Sequence, residues 1–155
     1  MRTGIGIDSH RFEAGRRLVL GGVEIPYELG LAGHSDADVL AHAIADALLG
    51  AAGLGDIGQH YPDDDEMWRD ADSMELLSEV AEILIGIGYK VVHVDATIML
   101  ERPKIAPYRE AIKESLETVL GSVNVKATTG EGMGFVGRGE GAAALAVATI
   151  MSNRS

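Results

Sequence analysis

The chain contains no cysteine among its 155 residues. Disulfides and zinc–thiolate centres are therefore excluded, and any bound metal must rest on nitrogen and oxygen ligands. The redox compartment stays open. Proline occurs only four times, and no low-complexity linker, internal repeat or break in composition divides the chain. Basic residues are also few. Thirteen Lys and Arg stand against 24 Asp and Glu, a formal net charge of -11, which argues against a general nucleic-acid binder. A small anionic ligand remains compatible, because bound metal ions can supply local cations. No apolar run approaches the roughly 18 residues of a membrane span, so none is expected. The N-terminus lacks a charged start followed by an apolar core, so no signal peptide is expected either.

Apolar residues make up 46% of the sequence and charged residues 24%, ordinary for a globular protein. At 16.3 kDa the length suits one domain, residues 1–155, with its own core. Thr3 to Asp8 reads as a strand softened by Gly4 and Gly6, and residues 18–25 as a small hairpin around Gly21-Gly22. Pro26 to Gly33 reads as loop. The clearest helix runs from about Asp36 to Ala52. Leu40, Ile44, Ala47 and Leu48 form its apolar stripe, and Asp38, His42 and Asp46 a ridge on the far side. Ser35 with Asp38 resembles a capping box that starts it, and Gly53 and Gly55 end it.

A second helix is expected over Ser73 to Ile85 behind Asp72, and a third from Pro107 to Leu120. Val91 to Leu100 and Val123 to Thr128 read as strands, and Gly130 to Gly141 as glycine-rich loop. Ala142 to Met151 is ambiguous, its alanines favouring helix and its alternation a buried strand. This order of elements suggests an α+β sandwich, a mixed sheet with helices packed on one face.

The chemistry concentrates in Asp8-Ser9-His10 and in the segment His34-Ser35-Asp36-Ala37-Asp38 with His42. On a strand, residues two apart share a face, so Asp8 and His10 can reach one ion together. His42 would complete a three-ligand set with an open fourth position, the pattern of a catalytic metal. Asp38 and Asp46, beside His42, are the expected acceptors for its other ring nitrogen. A solvated polar helix face explains the same residues, and both readings stand open on pattern alone. Asp56 is set apart from the acidic loop that follows it. Thr128 and Thr129 sit where a strand meets a glycine-rich loop and could hold phosphate oxygens, while Glu131 could bind Mg²⁺.

The stretches 4–12 (GIGIDSHRF), 33–65 (GHSDADVLAHAIADALLGAAGLGDIGQHYPDDD), 101–104 (ERPK) and 124–141 (NVKATTGEGMGFVGRGEG) appear in order along nearly the whole chain. Together they closely resemble the 2-C-methyl-D-erythritol 2,4-cyclodiphosphate synthase family of the non-mevalonate isoprenoid pathway. That resemblance implies an intramolecular phosphoryl transfer in 4-diphosphocytidyl-2-C-methyl-D-erythritol 2-phosphate, which closes a cyclic diphosphate and releases CMP.

The resemblance also implies residue roles. Asp8, His10 and His42 would hold Zn²⁺ or a similar ion, and Glu131 would hold Mg²⁺ or Mn²⁺. His34 and Ser35 would orient the 2-phosphate, and Thr129 would steady the diphosphate. Asp56, Ile57 and Gly58, with Tyr61, Pro62, Asp63, Asp64 and Asp65, would contact the erythritol. Leu100, Glu101, Arg102, Pro103, Lys104, Ile105 and Ala106, with Thr128, would form the cytidine pocket. Phe135 and Arg138, with Glu140, would guard a central channel that can take isoprenoid diphosphates.

The implied assembly is a homotrimer with active sites at its interfaces, and the implied fold is a ferredoxin-like sandwich in which the last segment is a strand. The implied location is the bacterial cytoplasm, or the plastid stroma if a transit peptide was removed. Gly130, where many relatives carry a larger side chain, is expected to add backbone freedom next to Glu131. Two other classes use the same residues differently: a metal-dependent phosphohydrolase, giving a linear product, and a trimeric nucleotide carrier without turnover.

Overall fold

The computed structural model describes residues 1–62, 64–66 and 71–154. Strand β1 spans Arg2–Ala14, longer than its apolar alternation suggests, because polar Asp8 and His10 occupy inward positions beyond Gly6. Strands β2 (Leu18–Leu20) and β3 (Val23–Ile25) form the expected hairpin. Its turn residues Gly21 and Gly22 both have positive φ, 58° and 79°, as a tight two-residue turn requires. The expected loop 26–33 contains a short strand β4 (Leu29–Leu31), whose Leu31 lies opposite Phe12 of β1.

Helix α1 (Val39–Ala52) starts one residue after Asp38 and ends at Gly53, which adopts φ 73°. The expected Ser35–Asp38 capping box is not formed. Asp38 is itself the N-cap and accepts from Ala41 N at 3.0 Å. It also accepts from Gly21 N at 2.9 Å and Gly22 N at 2.8 Å. These bonds draw it fully into the interior, so it does not belong to a solvated ridge. Short helix α2 (Ile57–His60) and helix α3 (Ser73–Gly86) follow, capped by Asp56 and Asp72. Then come β5 (Tyr89–Met99), a 3₁₀ turn (Ala106–Tyr108), α4 (Arg109–Leu120) and β6 (Val123–Thr128). A one-turn helix α5 (Gly134–Gly137) interrupts the glycine-rich loop before β7 (Gly141–Ser152).

Five strands form a mixed sheet in the order β4-β1-β7-β5-β6, antiparallel except for the parallel β5–β6 pair. Helix α1 packs across β1 and β7, α3 against α1 and β5, and α4 against β6. The inward face carries Ala142, Ala144, Ala146, Ala148, Val94, Ala96, Ile98, Val123 and Val125, all buried. This is the expected α+β layering. The ferredoxin-like sandwich runs β-α-β-β-α-β. Here the main elements run β1-α1-α3-β5-α4-β6-β7, and the α4 crossover makes β5 and β6 parallel.

The ambiguous segment 142–151 is strand β7 because of its neighbours. Its alanines lie beside Gly4 and Gly6 of β1, with Gly6 paired to Ala146, so the sheet is nearly smooth where α1 crosses it. A Cβ on Gly6 would fall on the Ala43 carbonyl oxygen, and one on Gly4 on that of Ala47. Gly6→Ala is therefore expected to cost about 3 kcal/mol, the upper end for overpacking against unyielding backbone. A lowered urea midpoint at unchanged slope is the measurement. Wild-type stability would mean that helix and sheet part without cost.

Candidate metal centre

The close contact of α1 with β1 builds the site. Asp8 and His10 project inward from β1, and His42 projects from the first turn of α1 towards them. His10 Nε2 lies 2.8 Å from Asp8 Oδ2, and His42 Nδ1 lies 3.2 Å from the same oxygen. The two imidazoles meet edge to face at 5.7 Å between centroids. One ligand atom from each of the three residues fits within 4.8 Å of the others. Among the described residues this is the one such group of three. Two imidazoles and a carboxylate, all partly exposed, suit a divalent ion with a free coordination position.

Electrostatics preorganise the group. Burial alone would raise the Asp8 carboxyl, but hydrogen bonds from His10 and His42, and their charge, hold it down at about 2. Burial likewise opposes charge on His42, yet the Asp8 hydrogen bond and the charges of Asp8, Asp38 and Asp36 raise it. The second ring nitrogen of His42 does not use the acceptors expected for it. Asp38 is spent on backbone N–H groups, and Asp46 Oδ1 accepts from Ile57 N at 2.7 Å. His42 Nε2 instead meets Ser73 Oγ at 2.8 Å, with Ser35 Oγ farther away at 3.4 Å. Spacing within α1 gave no sign of Ser73, because that contact depends on where α3 begins.

A cavity of about 280 Å³ opens over these three side chains, and Gly33, His34, Ser35, Ile57, Gly58 and Tyr61 help line it. The structure thus gathers half of the residues implied for one end of the substrate, His34, Ser35, Ile57, Gly58 and Tyr61, around the three side chains. Asp56 is not among the lining residues; it caps α2, accepting from Gln59 N at 3.0 Å. Tyr61 donates to Glu79 at 2.7 Å, and burial with the Glu79 charge raises its phenol. Pro62, Asp64 and Asp65 are exposed, with the Asp65 carbonyl 3.4 Å from His34 Nε2. Asp63 lies outside the described residues. Arg16 binds the carbonyls of Leu31, Gly33 and Ser35 at 3.0, 3.1 and 2.7 Å, and so fixes the loop carrying His34.

A second cavity of about 190 Å³ lies at the β5 and β6 ends. Leu100, Glu101, Pro103, Lys104, Ile105 and Ala106 line it with Thr128 and Thr129, as implied for a nucleotide. Arg102 turns elsewhere, into a separate cavity with Arg138, Phe12 and Tyr27. Glu131 belongs to no group of three metal-binding side chains among the described residues. It adopts φ 51°, with Thr129 Oγ1 accepting from its N–H at 3.2 Å. The Glu101 carboxylate brackets it, accepting from Gly130 N at 2.9 Å and Gly132 N at 3.2 Å. Gly130 does not loosen this corner. A Cβ there would lie 2.6 Å from Gly137 N and 2.8 Å from Met133 O, so the loop closes tightly on itself. Phe135 is exposed, and exposed Arg138 pairs with Glu140 at 3.1 Å.

The YgbB family model matches residues 1–151. A 2-C-methyl-D-erythritol 2,4-cyclodiphosphate synthase of Chlorobaculum tepidum is 58% identical over 154 residues, 97% of this chain and 98% of that protein. One from Alkaliphilus oremlandii is 56% identical over 155 residues, 97% and 99% of the two chains. A solved synthase of that name in a CDP-bound form matches with a TM-score of 0.88 and 38% identity, over 97% of this chain and all of that one. The bifunctional IspDF of Campylobacter jejuni matches with a TM-score of 0.93 and 43% identity over 97% of this chain, which spans 42% of that protein's length. The chain belongs to the YgbB family, that of the 2-C-methyl-D-erythritol 2,4-cyclodiphosphate synthases.

Proposed function

We propose that this chain catalyses the cyclisation of 4-diphosphocytidyl-2-C-methyl-D-erythritol 2-phosphate to the 2,4-cyclodiphosphate, as a phosphorus–oxygen lyase of isoprenoid synthesis. The observation that carries this reading is the meeting of Asp8, His10 and His42 in one cavity with His34, Ser35, Ile57 and Gly58. An oxygen of the 2-phosphate forms a bond to the β-phosphorus, and the bond from that phosphorus to the α–β bridging oxygen breaks. CMP leaves with that oxygen. No covalent intermediate with the protein is needed, so positioning and charge stabilisation supply the rate.

Asp8, His10 and His42 would hold Zn²⁺ or a similar ion, their nitrogen and oxygen donor set suiting it. Glu131 would hold Mg²⁺ or Mn²⁺, a single carboxylate plus substrate phosphates being an ordinary set for that ion. When bound, these ions supply positive charge and Lewis acidity to the phosphate oxygens. His34 and Ser35 orient the 2-phosphate, and Thr129 steadies the diphosphate. Asp56, Ile57 and Gly58, with Tyr61 to Asp65, receive the erythritol. Leu100 to Ala106, with Thr128, receive the cytidine, and Lys104 offers a cation there. Arg102 does not line this cavity but the neighbouring one with Arg138, and its part in holding the cytidine is the weakest of the set.

A homotrimer with interfacial sites fits the outer face of the sheet. Ile5 and Ile7 are 61% and 64% exposed there, and Val147 of the adjoining strand is 39% exposed. An isolated chain leaves this apolar surface in water, where oligomer contact would cover it. The metal cavity and the nucleotide cavity share no lining residue within one chain, which also suits sites completed between subunits. A cavity of about 820 Å³ beside Phe135 and Glu140 would open on the channel for isoprenoid diphosphates. No helix among the described residues is long and apolar enough to cross a membrane, and a cytoplasmic location accords with that.

Three outcomes test this reading. In ³¹P NMR with Zn²⁺ and Mg²⁺, the substrate should yield a cyclic diphosphate and equimolar CMP. A linear product would indicate the hydrolase instead, and unchanged substrate a carrier. His42→Ala should fold but lose its zinc. Zinc at about a hundredfold its Kd should stabilise the wild type by about 2.7 kcal/mol and leave the variant's Tm unmoved; zinc retained by the variant would overturn the ligand set. Glu131→Gln should keep zinc while losing most Mg²⁺-dependent turnover, and turnover at the wild-type rate would remove Glu131 from the second metal site.

A further inference from the structure

Helix α3 reaches the metal centre at its first residue. Ser73 is buried, 1% exposed, and its hydroxyl lies 2.8 Å from His42 Nε2. The same hydroxyl makes a short hydrogen bond to Asp36 Oδ1. An ionised carboxylate can only accept, so the Ser73 proton is committed to Asp36. The oxygen of Ser73 then faces His42 with a lone pair. His42 Nε2 must therefore carry a proton, and the other ring nitrogen, Nδ1, faces Asp8.

We propose that Ser73, aimed by Asp36, is a positioning residue that holds His42 in the Nε2–H form with Nδ1 free for a metal ion. The proposal rests on the metal reading given above. Ring nitrogens that ligate metals depend on such a partner at the opposite nitrogen, which sets both tautomer and ring angle.

Asp36 is fixed well enough for this task. Its Oδ2 accepts from Ser73 N at 3.0 Å, its Oδ1 accepts from Asp38 N at 3.1 Å, and its own N–H donates to Ala71 O at 3.3 Å. The carboxylate thus ties together the loop before α1 and the start of α3. Ser35 Oγ is a poorer partner for the imidazole, being more distant and already accepting from Ala37 N at 3.2 Å. Asp36 also directly follows His34 and Ser35, while Arg16 braces that loop from its other side. One hydrogen-bonded chain, Asp36 to Ser73 to His42, therefore joins the orientation of a metal ligand to the seat of the substrate loop.

The test is zinc affinity by chelator competition, with the ring nitrogens of His42 in the zinc-loaded protein followed by ¹H–¹⁵N NMR. Ser73→Ala should bind zinc about 10–100-fold more weakly than wild type, the usual effect of losing such a partner. Its His42 Nε2–H resonance should exchange rapidly with water, whereas wild type protects it. Ser73→Thr, which keeps the hydroxyl, should recover protection and most of the affinity. A general loss of packing would not act on this one resonance. Zinc affinity in Ser73→Ala within about threefold of wild type, or an equally protected Nε2–H, would overturn the proposal. Absence of zinc binding by the wild type would overturn the metal reading itself.

Discussion

Everything at the candidate site depends on how closely α1 lies against β1 and β7. Gly4 and Gly6 offer no side chain, and Ala144, Ala146 and Ala148 offer only a methyl group. The helix backbone consequently rests almost on the strand backbone, close enough that added Cβ atoms would strike its carbonyls. That distance places the first turn of α1, and with it His42, within hydrogen-bonding range of Asp8. Leucine or valine in place of the small residues would bury more area, but would push the helix outward and separate the ligands. Packing of this kind gives up some apolar burial, at about 25 cal/mol per Å², for position. The surrounding core of Leu40, Ile44, Leu48, Leu77 and Leu84 supplies the burial that the interface itself lacks.

The loops beside the two cavities are held by a different device. Ala37 and Glu131 adopt φ 55° and 51°, the left-handed region that residues with a Cβ seldom occupy. Such conformations cost about 1–3 kcal/mol each and persist only where neighbours enforce them. In both loops a carboxylate does so through hydrogen bonds. Asp36 accepts from Asp38 N, one residue past Ala37, and from Ser73 N across the gap to α3. Glu101 accepts from Gly130 N and Gly132 N, on either side of Glu131. Asp38 adds a third such clamp, joining the β2–β3 turn to the start of α1. Burial raises its pKa despite the three N–H donors. Part of the acidity of this chain is thus structural, with carboxylates acting as acceptors for backbone in loops that have no sheet or helix partner.

The sequence revealed those elements whose signals are local. Helices α1, α3 and α4 follow from apolar spacing, with Asp72 and Gly53 as punctuation for the first two, and β6 from alternation over Val123 to Thr128. Strand β7 was not decidable locally, since alanine favours helix and only the close approach of α1 makes it the right residue for a central strand. The chemistry divides in the same way. Asp8 and His10 two apart on a strand, with His42 on the next helix, could be grouped in advance. Ser73 could not, because its contact with His42 depends on where α3 begins and how it packs on α1, which no local pattern gives. The roles of Asp38 and Asp46 were misjudged for a related reason. Asp38 precedes the helix as its cap, and backbone N–H groups of Gly21, Gly22 and Ile57 reach the two carboxylates first.

An acidic protein that handles a polyanion must also solve a charge problem, and the arrangement of the triad bears on it. Asp8 lies between two imidazoles, so the three side chains hold one another by hydrogen bonds and charge. No uncompensated buried charge is left to unfold the region, and the ligands need little reorganisation to receive a cation. Entry of a divalent ion would exchange protons for metal at the same atoms, which adds positive charge where an anion would dock. The nearby loop contributes Arg16, but its guanidinium is occupied by three carbonyls. Apart from Lys104 and Arg109 in the separate cavity at the β5 and β6 ends, the residues lining the two cavities offer no permanent positive charge. The metal-holding geometry is therefore the feature that would make this acidic surface attractive to phosphate, and the small residues of β1 and β7 are what make that geometry available.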